Sequence, residues 1–204
     1  MTANSLPPVV LRNGVDIEDP LGVVLGLLKA WRLDVSAPAR PMSFGEPDLR
    51  FANRGGARIS AAQITAILER RGAIEDALRV IAPGASLAGP AECVPWLALG
   101  QLFGAFAGIS GVGLSKMTKA LHPKRSALIP MLDSIVQKYL QDDDPGAQAS
   151  FGDRALGLVR GYQRDLERNQ VAVRAVRQEL AGHGYELTEV RILDLLILSA
   201  AAAA

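Results

Sequence analysis

Apolar residues recur at helical spacing through most of the chain, and clusters of Gly, Pro and Asp separate the runs. Residues 1–16 carry Pro7, Pro8 and Gly14 and read as irregular, with one short extended piece around Val9 to Leu11. A first helix is expected from Asp19-Pro20 to about Leu33, because Asp is a good N-cap and Pro suits the first helical position. The stretch SAPARPMSFGEPD then reads as a loop. From Ser60, which forms a capping-box pattern with Gln63, the positions Ile64, Ile67 and Leu68 predict a helix that Gly72 ends. Further helices are expected over Ile74–Ile81, Val94–Ala107, Leu114–Leu121, Ile135–Leu140, 151–168, 170–182 and 187–200. Few segments alternate with period two, so the fold class is all-α. The apolar run ILDLLILSAAAAA is interrupted by Asp194 and falls short of a spanning length, and it reads as a buried helix. No internal repeat is present.

Composition removes several function classes. The 204 residues are 49% hydrophobic and 21% charged, with 22 basic against 21 acidic side chains, so global charge selects no partner. Cys93 is the only cysteine, which rules out an intrachain disulfide and an iron–sulfur cluster and fits a reducing cytoplasm. His122 and His183 lie far apart, so no compact zinc signature exists. No cofactor and no metal are expected, GxGxxG is missing around the hairpin, and the N-terminus does not resemble a signal peptide.

Chemistry concentrates in GISGVGLSKMTKALHPKRSALIPMLDS, residues 108–134. Gly111 and Gly113 sit where two helical patterns meet, and they predict a tight turn with exposed amides. The helix that follows adds free N–H groups and the positive end of its dipole, which together make an anion cradle suited to a phosphate. No acidic residue lies between Glu92 and Asp133, whereas Lys116, Lys119, Lys124 and Arg125 supply four positive charges. Such a patch can contact DNA phosphates with salt-sensitive affinity, or it can line a solvated helix and loop.

The segment GISGVGLSKMTKAL resembles the helix-hairpin-helix DNA-binding motif over 109–121, with Ser110 where that motif usually has proline. Asp133 follows Gly111 by 22 residues, in a context similar to the catalytic Asp of helix-hairpin-helix DNA glycosylases. That resemblance implies a glycosylase-like fold of two helical lobes: residues 1–50 packing with the C-terminal lobe, 51–145 carrying the hairpin and Asp133, and 146–204 as C-terminal helices. It also implies a DNA partner contacted by Gly111, Gly113, Ser115, Lys116, Lys119, Lys124 and Arg125, and a base-excision repair hydrolase in which Asp133 stabilises a sugar cation after base flipping. Ser115 occupies the position of the Schiff-base lysine of bifunctional relatives, so no lyase activity is expected. More narrowly, ANRGGARIS, LHPKRSALIPMLDS and LTEVRILDLLIL resemble a family of uncharacterised bacterial proteins.

Other readings stay open at this point. Asp133 is equally a helix N-cap. A non-catalytic DNA-binding module and a protein-interaction domain both fit the same residues. Arg54 and Arg58 flank Gly-Gly-Ala and could reach a phosphate or a flipped base, or salt-bridge the neighbouring lobe. Trp31, Trp96 and Tyr139 read as core, His122 as a helix C-terminal residue, and His183 as a turn residue.

Overall fold

The computed structural model describes residues 6–31 and 40–203. The described chain is helical apart from one two-stranded ribbon, in which β1 (Val9–Val10) pairs antiparallel with β2 (Asp16–Ile17). Helices follow as α1 (Pro20–Trp31), α2 (Glu46–Arg54), α3 (Ala61–Leu68), α4 (Arg71–Val80), α5 (Trp96–Gly104) and α6 (Leu114–Leu121). The remainder are α7 (Ser134–Tyr139), α8 (Phe151–Arg168), α9 (Gln170–Gly182) and α10 (Glu189–Ala203). The all-α expectation therefore holds, and no helix among the described residues is long and apolar enough to cross a membrane.

Local departures from expectation have physical causes. Helix α2 begins inside the stretch read as a loop: Pro47 lies in its first turn, where a missing N–H costs nothing, and the Asp48 carboxylate reaches back to the Gly45 amide. Ser60 and Gln63 form the expected capping box, but α3 stops at Leu68 and Gly72 lies within α4. Helix α5 ends at Gly104, so residues 105–113 form a longer connection into α6 than a tight turn, with Gly108 at φ 74°.

Helix α10 is the centre of the assembly. It packs against α1, α7, α8 and α9, and every residue from Ile192 to Leu196 is buried, as expected of a helix that is apolar on all sides. Helices α5 and α8 approach closely because Gly100 and Gly152 face each other; a Cβ at Gly152 would lie 3.1 Å from the Gly100 carbonyl. On the same helix α8, Gly157 and Gly161 form a recess for the turn around Asp143, and a Cβ at Gly157 would meet the Asp143 carbonyl at 2.6 Å. Arg12, just after β1, pairs with Asp143 and with fully buried Asp165, and also donates to the Gly161 carbonyl. The Asn169 side chain accepts from Val10 N and donates to Val10 O, which pins the ribbon to the α8–α9 junction.

Two cations hold the segment after α6. Arg125, 1% exposed, donates to the carbonyls of Leu78, Ile81, Pro41 and Lys124, so its charge rests on backbone dipoles at the C-terminal end of α4. Lys124 is buried beside it, with Nζ 2.6 Å from Asp48 Oδ1 and 3.0 Å from the Arg40 carbonyl. Beyond them, His122 Nδ1 donates to Ile129 O, Thr118 Oγ1 accepts from Leu132 N, and Asp194 Oδ2 accepts from Met131 N. The other Asp194 oxygen is buried without a hydrogen-bond partner. Burial pushes the Asp194 carboxyl up to about 7, against the opposing pull of the Arg191 charge. Burial lowers His122 to about 4.

Replacing Arg125 by Met strands several buried carbonyls, and replacing Lys124 by Met leaves Asp48 as an uncompensated buried charge. Each substitution is expected to destabilise the fold by about 3 kcal/mol or more in urea denaturation. Asp194, whose folded-state pKa lies above its unfolded value, holds its proton longer in the native state, so its contribution falls as pH rises from about 4 to about 7. His122 has the opposite sign: the unfolded chain takes up its proton first, so its contribution rises with pH from about 4 to about 6.5. The two largely offset one another across that range. Asp194→Asn removes one of them, and stability curves should then climb with pH between about 4 and 6.5, where the parent protein is flatter.

Candidate nucleic-acid interface

The hairpin residues come together at the N-terminus of α6. Gly111 has φ 71°, a left-handed conformation that disfavours any side chain, and a Cβ there would lie 2.4 Å from Gln63 Nε2. Val112 and Leu114 are buried and anchor the turn, while Ser110, Gly111 and Gly113 remain exposed. Gly113 is the extended N-cap residue, and no side chain caps the helix, so the first-turn amides take no side-chain acceptor. Ser115, Lys116 and Lys119 are half-buried around that end.

Gln63 organises this surface in a way its sequence position did not announce. Its Oε1 accepts from Ser60 N at 3.1 Å, completing the α3 cap, and from Lys116 Nζ at 2.8 Å. Its Nε2 donates to Ser110 O at 3.4 Å. One amide thus joins the start of α3, the hairpin backbone and the Lys116 ammonium. The capping-box pattern signalled its local role, but nothing in the sequence signals the second partner, which lies 53 residues away.

Facing the hairpin is the connection from α2 to α3. Asn53 clamps it, donating to Ile59 O at 2.9 Å and accepting from Ile59 N at 2.6 Å. Between these bonds Gly56 takes φ 78° and Arg58 takes φ 54°, the one described non-glycine residue at positive φ. A Cβ on Gly56 would sit 4.0 Å from Lys119 Nζ, so the loop and α6 are immediate neighbours. Arg54 and Arg58 are exposed, Arg54 lying 5.0 Å over the Phe51 ring. A cleft of about 470 Å³ opens here, lined by Arg50, Asn53, Arg54 and Ile64. Arg50 is paired with Glu46, whereas Arg54, Arg58, Lys116 and Lys119 pair with no carboxylate among the described residues.

Of the four cations expected beside the hairpin, Lys124 and Arg125 are corrected by this geometry. Both are buried and committed to Asp48 and to backbone carbonyls, because the chain turns inward after α6 and inserts them under α2 and α4. Arg54 and Arg58 take their place on the surface.

Asp133 caps α7: its Oδ1 accepts from Ile135 N and Val136 N, both at 3.0 Å. It does not line the Arg54 cleft. Trp96 donates to Ala91 O and lies under Arg160, Tyr139 accepts from Arg12 N, and His183 closes α9 before left-handed Gly184. The Trp31 side chain lies outside the described residues.

Among families, the model of DUF6308, a family of unknown function, matches residues 35–201. No curated protein and no solved structure matches the chain significantly. The ANRGGARIS loop, the segment after α6 and the α10 core all fall inside the matched region, as the narrower sequence resemblance implied, and the chain belongs to the DUF6308 family.

Proposed function

We propose that this protein binds DNA through its backbone phosphates, with the hairpin as the primary contact. The observation that carries the reading is a single juxtaposition. Exposed Gly111 and Gly113 lead into helix amides that no side chain caps, beside Lys116 and Lys119, which have no carboxylate partner among the described residues. Amides and ammonium groups converging on one point suit a phosphate, and a contact of this kind is insensitive to base sequence. Ser115 N–H belongs to the same first turn. In this reading Gln63 is a positioning residue, because it holds Lys116 against the turn.

Base hydrolysis by Asp133 is the second reading. Oδ1 alone serves the α7 cap, which leaves Oδ2 to face a developing sugar cation in a glycosylase of the helix-hairpin-helix kind. The two readings part at one substitution. Asn at position 133 retains a side-chain oxygen for the two capping amides, so Asp133→Asn preserves the fold and removes only the charge.

Binding to a duplex bearing one abasic-site analogue and to the intact duplex, measured across a salt series, tests both. We expect salt-dependent binding to each, and a slope of log affinity against log salt that drops by roughly 2 in Lys116→Ala/Lys119→Ala. No binding to either duplex at low salt would refute the hairpin reading. Preference for the analogue, together with base release that Asp133→Asn abolishes, would establish the hydrolase. Equal salt-dependent binding to both duplexes with no base release, and binding unchanged in Asp133→Asn, would leave the module non-catalytic. Borohydride should trap no covalent complex with abasic DNA, since Ser115 occupies the lyase position and Lys116 is bound to Gln63.

A further inference from the structure

We infer that the α2–α3 loop is a second phosphate-binding element, which takes a neighbouring phosphodiester of the same polynucleotide that the hairpin holds. This rests on the DNA-binding reading and extends its footprint from α6 across to α2.

Three features make the loop a built site. Arg58 occupies left-handed backbone, which costs an L-residue on the order of 1 kcal/mol or more, and it is held there while the adjacent exposed positions include Gly55 and Gly56. Glycine would adopt that conformation freely, so the arginine is kept against a conformational cost, and strain of this kind gathers at ligand clamps. The loop is also rigid in advance of any ligand: both Asn53 bonds to Ile59 and the bonds Gly56 N to Asn53 O and Ala57 N to Ala52 O fix its path. Finally, Arg54 and Arg58 are exposed at the two ends of this loop and Lys119 Nζ stands beside Gly56, and none of the three is neutralised by a carboxylate among the described residues. Arg50, one turn from Arg54, is by contrast paired with Glu46.

The chemistry selects the ligand. Guanidinium groups present several N–H donors in a fixed plane that matches phosphate oxygens, and the cleft lined by Arg54 and Ile64 is shallow and open, which leaves that guanidinium accessible. Lys119 stands between loop and hairpin, close enough to Gly56 for one strand to run past both elements.

The test combines the intact protein with Arg54→Gln/Arg58→Gly, in which the glycine relieves the backbone strain and so protects the fold. Titration with inorganic phosphate, followed by amide resonances, should shift Gly56 and Arg58 as well as Gly113 and Ser115 in the parent. In the double variant only the hairpin amides should move, and the duplex salt slope should fall by roughly 2. Silent loop amides in the parent, with hairpin amides that respond, would overturn the second element and leave the hairpin reading standing. Responsive loop amides with a silent hairpin would support the loop and sink the hairpin reading. If phosphate shifts the loop but the duplex slope is unchanged in the double variant, the loop takes free phosphate and not a strand, and the inference fails.

Discussion

A guanidinium without a carboxylate holds this molecule together. Arg125 is buried and carries a full charge, yet apart from the Met42 thioether it meets backbone carbonyls, chiefly those at the end of α4. Such an arrangement is tolerable because helix C-terminal carbonyls are both unsatisfied and partially negative, so one side chain resolves two deficits. Its neighbour Lys124 does the equivalent for Asp48, which in turn caps α2. Helices α2 and α4 are therefore fixed to the residues that follow α6, and the position of the hairpin relative to the α2–α3 loop depends on this buried pair.

That dependence explains how the surface can be preorganised. Gln63 and Asn53 are amides, each with a donor and an acceptor in use, and each joins segments that the chain alone would leave loose. The first ties α3 to the hairpin; the second closes the glycine loop. A lysine held as Lys116 is by Gln63 is ordered in advance, whereas one on a solvated helix is not.

Much of the fold was legible, and the reasons are local. Ser60–Gln63 capping, Asp19-Pro20, and the long periodic runs that became α8, α9 and α10 depend on neighbours within a few positions, and these appear as expected. Gly111 also carried its meaning openly, since a left-handed turn demands glycine. What failed to show was long-range. Lys124 and Arg125 have the composition of a phosphate patch, and only the fold reveals that Asp48, Leu78 and Ile81 enclose them. Arg58 was open between a phosphate and a neighbouring element, and its left-handed φ is what the sequence does not announce. Helix α2 hid behind Pro47, which looks like a breaker and serves as a first-turn residue. Asp133 was ambiguous in sequence, and its capping bonds are what the geometry displays.

The ribbon at the start of the chain bears on how this family is to be handled at the bench. The family-matched region begins at residue 35, beyond β1, β2 and α1. A protein cut to that boundary would lose Arg12, so Asp165 would keep a buried carboxylate with no arginine from the ribbon, and Asn169 would lose both of its bonds to Val10. It would also uncover the flank of α10 on which α1 lies, exposing apolar surface that water and other molecules would compete for. The stretch of sequence that defines kinship is thus smaller than the stretch that folds, and residues 6–31 pack with the rest whether or not they are shared among relatives.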